Sequence, residues 1–184
     1  MKKTIAIIVI VVLAVVWYGF STYNTLVTLS VNADAQWKQV GVDYQRRFDL
    51  IPNLVESVKG VMTQEKDVFA AIADARTKYS GATTVDERAK AAGQVESALG
   101  RLLVITENYP QLKSSETVQT LMSQLEGTEN RIGVARMRYN DAVKAYNLKV
   151  MRIPSSVVAS LTGFEAREYF VAAAGAENVP QVKF

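Results

Sequence analysis

From Ala33 to Tyr79 apolar side chains return every seventh residue in two neighbouring registers. Trp37, Tyr44, Ile51, Val58, Ile72 and Tyr79 hold one, and Ala33, Val40, Leu54, Val61, Val68 and Ala75 the other. Phe48, Val55, Met62 and Phe69 widen the stripe, so three apolar positions per heptad face a core with room for two neighbouring helices. The phase is kept on both sides of Pro52, which predicts a kinked helix rather than two separate ones. Ser80 and Gly81 end the pattern, and Thr84 with Glu87 has the spacing of a capping box that opens a second helix over about 85–107. Ala91, Val95, Ala98, Leu99 and Leu102 form its apolar face, and Tyr109 and Pro110 close it. A third helix starts near Ser114 or Ser115, repeats Val118, Leu125, Ile132, Tyr139 and Tyr146, and stops before Pro154. A short fourth piece follows from Pro154 to Leu161, with proline in its first turn. After Gly163 no period is sustained, which predicts a surface tail with an extended end. Short links between long helices make neighbours antiparallel. The fold class expected is all-α, an up-down antiparallel bundle of three long helices plus a short fourth.

Before the heptads, Ile5 to Phe20 carries no charge, and with its flanks reaches about the twenty residues that cross a bilayer. A cleaved signal peptide shares the basic start and apolar middle but wants small residues at its cut site, where this chain has Trp17, Tyr18, Gly19 and Phe20. Trp17, Tyr18 and Tyr23 suit the interfacial aromatic belt of a retained span. The expected organisation is therefore an anchor over 1–23, a bundle over 24–162 and a tail over 163–184. Lys2 and Lys3 precede the span and the next basic residue is Lys38, so the positive-inside rule places the N-terminus in the cytoplasm and the bundle on the other side of the membrane.

With Lys2 and Lys3 set aside, the net charge of +3 shrinks to near neutrality, and the two signs are interspersed, which argues against nucleic acid as a partner. The chain has no Cys and no His. Thiol nucleophiles, imidazole bases and Cys/His metal sites are thereby excluded, and no catalytic, cofactor-binding or metal-ligating residue is assigned.

Charges that break the apolar stripes need partners, because a lone charge at a helix seam is costly. Arg47 stands where Val40 and Leu54 otherwise fall, Glu65 follows Ile51 and Val58, and Glu129 and Arg136 interrupt Met122, Val143 and Val150. The expected seam network has Arg47, with Arg46 and Asp49, meeting Glu126, Glu129 or Arg136 as a device that sets helix register. A carboxylate metal site is the sharper alternative, though bundles usually pair such Glu residues with His. The rings of Trp37, Tyr44, Tyr79, Tyr139 and Tyr146 belong with the core, a ligand slot being the other option. The Tyr-Asn dipeptides at 23, 139 and 146 suggest polar contacts between helices. Gly60 and Gly127, inside helical pattern, suggest close helix approach.

The strings QVGVDYQRRFDLIPNLVESVKG, ALGRLLVITENYPQLK, LEGTENRIGVARMRYNDAVKAYN and GFEAREYF closely resemble the LemA family of bacterial membrane proteins, over essentially all of residues 20–170. The resemblance implies one N-terminal anchor and an up-down bundle, and no named enzymatic activity. It also brings relatives tied to membrane remodelling and magnetosome formation, and gene neighbours that are TPM-domain proteins and membrane proteases. Some members are described with the helical body in the cytoplasm, opposite to the charge-based orientation.

The functional expectation is a non-enzymatic membrane-anchored scaffold, self-assembling and concerned with membrane organisation or remodelling. The alternatives are an adaptor for a membrane protease or another membrane protein, a small-ligand sensor, and a carboxylate-metal enzyme. Expected partners are the lipid bilayer, further copies of the chain and other membrane proteins. No Pro lies between Thr4 and Ile51, so a continuous helix from Thr4 to Tyr79 would be on the order of 110 Å long and would leave Leu26, Val27, Leu29, Val31 and Ala33 exposed as an assembly surface.

Overall fold

The computed structural model describes residues 2–62 and 64–171, and these are helical with no strand. The helices are α1 (Lys2–Lys59), α2 (Lys66–Gly81), α3 (Val85–Thr106), α4 (Pro110–Lys113), α5 (Glu116–Met151) and α6 (Ser155–Thr162). Helix α1 runs through Pro52, as the unbroken heptad phase predicts. It does not continue to Tyr79. It ends at Lys59, where the Val61 and Met62 amides both turn back onto the Val58 carbonyl, and α2 begins only at Lys66. Heptad phase reports which face is apolar, and α2 presents Ile72, Ala75 and Tyr79 to a core just as α1 does, so the phase survives the break. Gly60 lies at that break, and a Cβ placed on Gly60 or on Gly127 would meet nothing within 4 Å; the close helix approach expected there is absent.

The start of α3 follows directly from its sequence. Thr84 is extended and its hydroxyl accepts from the Glu87 amide at 3.1 Å, while the Glu87 carboxylate accepts from the Thr84 amide at 3.1 Å, completing the capping box. Gly163 closes α6 with φ +75°, the left-handed conformation that glycine adopts without strain.

The chain forms two compact units, and α1 and α5 contribute to both. The first unit takes residues 1–39 and 137–168. In it Leu26, Tyr146 and Ala159 form a buried cluster, with Leu29, Val150, Val158 and Phe164 packed against it, and Trp37 meets Tyr139 with ring centroids 5.1 Å apart. The expected exposed collar over 26–33 is therefore covered: Leu26 and Ala33 are fully buried, Val27 and Leu29 are partly buried, and Val31 alone of the five stays open. Tyr146 and Val150 of α5, Val158 and Ala159 of α6, and Phe164 make up the rest of the cluster around Leu26 and Leu29.

Residues 164–168 are pinned rather than loose. Tyr139 donates to the Glu168 carbonyl at 3.0 Å, Tyr146 to that of Glu165 at 2.9 Å, and the Asn147 amide exchanges two bonds with the backbone of Arg167 at 2.9 and 2.8 Å. Tyr139 and the Tyr146–Asn147 pair thus hold a non-helical segment, not another helix. Arg167 in turn reaches Asp34 at 2.5 Å and Ser30 at 2.8 Å. The extended end expected beyond Val171 lies outside the described residues.

The second unit takes residues 40–136 and, of the described residues near the C-terminus, 169–171. Its core holds Tyr44, Phe48, Leu54, Val58, Ile72, Ala92, Val95, Leu102 and Ile132, drawn from α1, α2, α3 and α5. Along α1 its partners on α5 run backwards, from Arg136 at Tyr44 to Thr128 and Glu129 at Arg47, so the two helices are antiparallel there.

Candidate functional site

The polar residues that interrupt the apolar stripes gather in the second unit. Helix α1 delivers Tyr44 and Arg47 one turn apart, α3 delivers Glu96, and α5 delivers Thr128, Glu129 and Arg136. Arg47 is 2% exposed, although a free guanidinium belongs in water. Its Nε donates to Thr128 Oγ1 at 3.1 Å, its Nη2 donates to a Glu129 carboxylate oxygen, and its Nη1 stands 3.7 Å from Glu96 Oε1. Arg136 donates from Nη2 to both Glu96 Oε1 and the Tyr44 hydroxyl oxygen, and the Tyr44 hydroxyl donates to Glu96 Oε1 at 3.4 Å. The Arg136 guanidinium also lies 5.4 Å from the Tyr44 ring centre and 4.9 Å from that of Phe170, within the range of attraction between a cation and an aromatic face.

Two arginines and two glutamates make a neutral quartet. Its carboxylates reach solvent, with the Glu129 side chain 48% exposed and that of Glu96 31%. Burial pushes the Tyr44 hydroxyl well above the usual tyrosine range, and burial pushes Tyr79 up to about 12. The two rings stack with centroids 4.6 Å apart, and the Tyr79 hydroxyl is buried without a hydrogen-bond partner. An arginine does not surrender its proton near neutral pH, and tyrosines held neutral there are poor bases. The arrangement suits a strut between α1, α3 and α5 better than proton transfer. Among the described residues no three Asp or Glu side chains cluster as a metal ion would require.

Beside the quartet opens a groove of about 730 Å³, with Leu54, Leu99, Leu103, Leu112 and Leu125 on its walls and Arg47, Glu96 and Glu129 at its polar end. Arg47 Nη1 is a buried donor with no acceptor in hydrogen-bond range.

Of the expected seam residues, Arg47, Glu129 and Arg136 come together around Glu96. The others lie apart from the quartet: Arg46 is exposed, Asp49 accepts from the Gln45 side chain at 2.7 Å, Glu65 precedes α2, and Glu126 lines the groove. Sequence reasoning misses Glu96. It stands between Ala92 and Leu99 at spacings of four and three, on the edge of the apolar face of α3, and that spacing is the signal that would find it.

In the first unit, residues 5–20 of α1 are apolar, and none of the apolar window near the N-terminus is covered by protein; α1 is long and apolar enough to cross a membrane. Trp17 and Tyr23 are exposed and Tyr18 borders on it, with the Tyr23 ring 5.8 Å from that of Phe164.

The profile of the LemA family matches residues 36–184. Magnetosome protein MamQ 2 and magnetosome protein MamQ 1 of Paramagnetospirillum magneticum (strain ATCC 700264 / AMB-1) are each 31% identical over 194 residues, covering 90% of this chain and 71% of theirs. Magnetosome protein MamQ of Magnetospirillum gryphiswaldense (strain DSM 6361 / JCM 21280 / NBRC 15271 / MSR-1) is 28% identical over 192 residues, with the same coverage.

Proposed function

The chain belongs to the LemA family, and from that premise we propose that it is a non-enzymatic, single-pass membrane scaffold whose helical body is an up-down bundle. Residues 1–23 cross the bacterial inner membrane with the N-terminus in the cytoplasm, residues 24–162 build the body outside, and 163–184 form its C-terminal segment. The observation that carries the proposal is the uncovered apolar run of α1, which no other part of the described chain shields and which only lipid or protein of equal polarity can. A neutral Arg-Glu quartet, each charge answered by another, supports a structural rather than a chemical role for the polar seam. The magnetosome proteins among the relatives support carrying that role toward membrane organisation.

Self-assembly joins copies through their spans and the open side of α1 around Val31, since Leu26 and Ala33 are covered. Full-length protein extracted in mild detergent and weighed by native mass spectrometry tests this. The expected mass is a multiple of the 20.3 kDa chain. A monomer overturns self-assembly, and a mixed complex favours the adaptor alternative. The groove beside Arg47 favours a second role, a sensor for a small ligand with an apolar body and a hydrogen-bond acceptor for Nη1.

A further inference from the structure

We propose that the tip formed by the end of α5 and by α6 is a second membrane contact, inserted into the lipid leaflet beside the span. Four large apolar side chains lie open within eleven residues: Met151, Ile153 (87% exposed), Val157 and Leu161 (82% exposed). Val157 and Leu161 are four residues apart on α6, Ile153 lies in the turn just before it, and from Ile153 to Phe164 the chain has no charge. Single exposed leucines are ordinary on protein surfaces, whereas a contiguous uncharged apolar patch marks an interface.

Its place in the first unit identifies the occupant. The inference rests on residues 5–20 crossing a bilayer, and twenty residues of helix from Thr4 fill a hydrocarbon core of about 30 Å and end at Tyr23. Leu26 is three residues further, about 4–5 Å along the axis, which is within the headgroup layer of about 5–8 Å. Ala159 of α6 packs on Leu26, and Phe164 packs on Tyr23 itself. Leu161 lies in the chain between those two contacts, so it sits between headgroups and hydrocarbon. Helix α5 approaches from the same side. Within this unit Trp37 meets Tyr139 and Leu26 meets Tyr146, so α5 runs toward the span, and Met151 and Ile153 follow Val150, which already packs on the Leu26 cluster. Lys149 and Arg152 flank the tip, where long basic side chains reach lipid phosphates while their stems stay in the apolar layer. An uncharged apolar surface at this depth, with two basic side chains beside it, combines the apolar burial and the attraction to anionic lipid that hold a segment at a membrane interface.

The chain has no cysteine, so single cysteines report one site each. Full-length protein carrying Val11→Cys, Asp141→Cys, Val157→Cys or Leu161→Cys is labelled with a nitrobenzoxadiazole dye and reconstituted into phosphatidylcholine–phosphatidylglycerol vesicles, with or without a spin-labelled phospholipid. Dyes at 157 and 161 should shift to shorter wavelength and lose emission to the lipid-borne quencher, as at 11, while 141 stays unquenched. If 11 is quenched and both 157 and 161 behave as 141 does, the tip proposal fails and the span stands. If 11 is not quenched, the span itself fails. A shift at 157 and 161 without quenching means that protein covers the patch, and overturns the lipid assignment.

Discussion

Arg47→Ala removes the most buried charge of the polar quartet, and its cost can be worked from the contacts. A hydrogen bond between charged groups contributes about 1.5–3 kcal/mol, and Arg47 has one to Glu129. The buried stem loses packing worth about 0.8 kcal/mol for each methylene. Against these losses, Nη1 no longer has to be buried without an acceptor, and the two carboxylates left behind already reach solvent. Thr128 keeps its own bond to the Leu125 carbonyl at 2.6 Å. The expected cost is therefore about 3 kcal/mol, at the lower edge of the range for breaking a fully buried pair. In a chain of this size that lowers the Tm by roughly 6–12 °C. Arg47→Met loses the same hydrogen bond but retains most of the apolar stem, so it should cost about 1.5 kcal/mol less than Arg47→Ala, the packing of about two methylenes. The assay is helical circular dichroism of the full chain in detergent during heating. A drop under about 2 °C for Arg47→Ala, the behaviour of a surface residue, would refute the seam assignment. Methionine as damaging as alanine would refute the share of the cost assigned to packing of the stem.

Other parts of the fold make separate predictions. Tyr79 ionises near 12 in the folded chain because it is buried, against about 10 when unfolded, so above pH 10 the unfolded state loses its proton first and stability should fall toward pH 12. Tyr79→Phe should flatten that fall in pH-dependent unfolding and leave neutral-pH stability unchanged or higher, because its hydroxyl has no hydrogen-bond partner. Asn147→Ala strands the Arg167 amide and carbonyl at a cost of about 2 kcal/mol, read as faster hydrogen exchange over 165–168 with α3 unaffected. Thr84→Ala should remove about 1 kcal/mol and speed exchange in the first turn of α3.

Much of this fold is legible because apolar spacing and local capping are both written in sequence. The stripes of Tyr44, Ile51 and Val58 and of Ile132, Tyr139 and Tyr146 mark the helices and their buried faces, and the Thr84–Glu87 pair marks where α3 starts. Arg47 stands out because it replaces an apolar residue in the middle of such a stripe. Glu96 does not, since at the edge of a face a charged residue is ordinary. The break after Lys59 is silent for a different reason: two helices packed on one core keep a common phase. The pinning of residues 164–168 depends on side chains of α5 bonding to the backbone of a distant segment, and backbone groups are the same whatever residue carries them. That contact is also what the assembly expectation lacked, because the cover over Leu26 comes from residues 120 or more positions away along the chain.

The span and the side of the membrane on which the body stands are tested together by placing one cysteine before the span and another in the body beyond it. Chains with a cysteine inserted after Met1, which keeps Lys2 and Lys3, or with Gly81→Cys, each otherwise free of cysteine, are treated in intact cells with a membrane-impermeant maleimide, any outer membrane first being permeabilised. A chain that crosses the inner membrane once with its body outside is labelled at 81 and protected at the N-terminal site until the inner membrane is opened. Labelling of both sites, or of neither, contradicts the span, and labelling at the N-terminal site alone reverses the orientation.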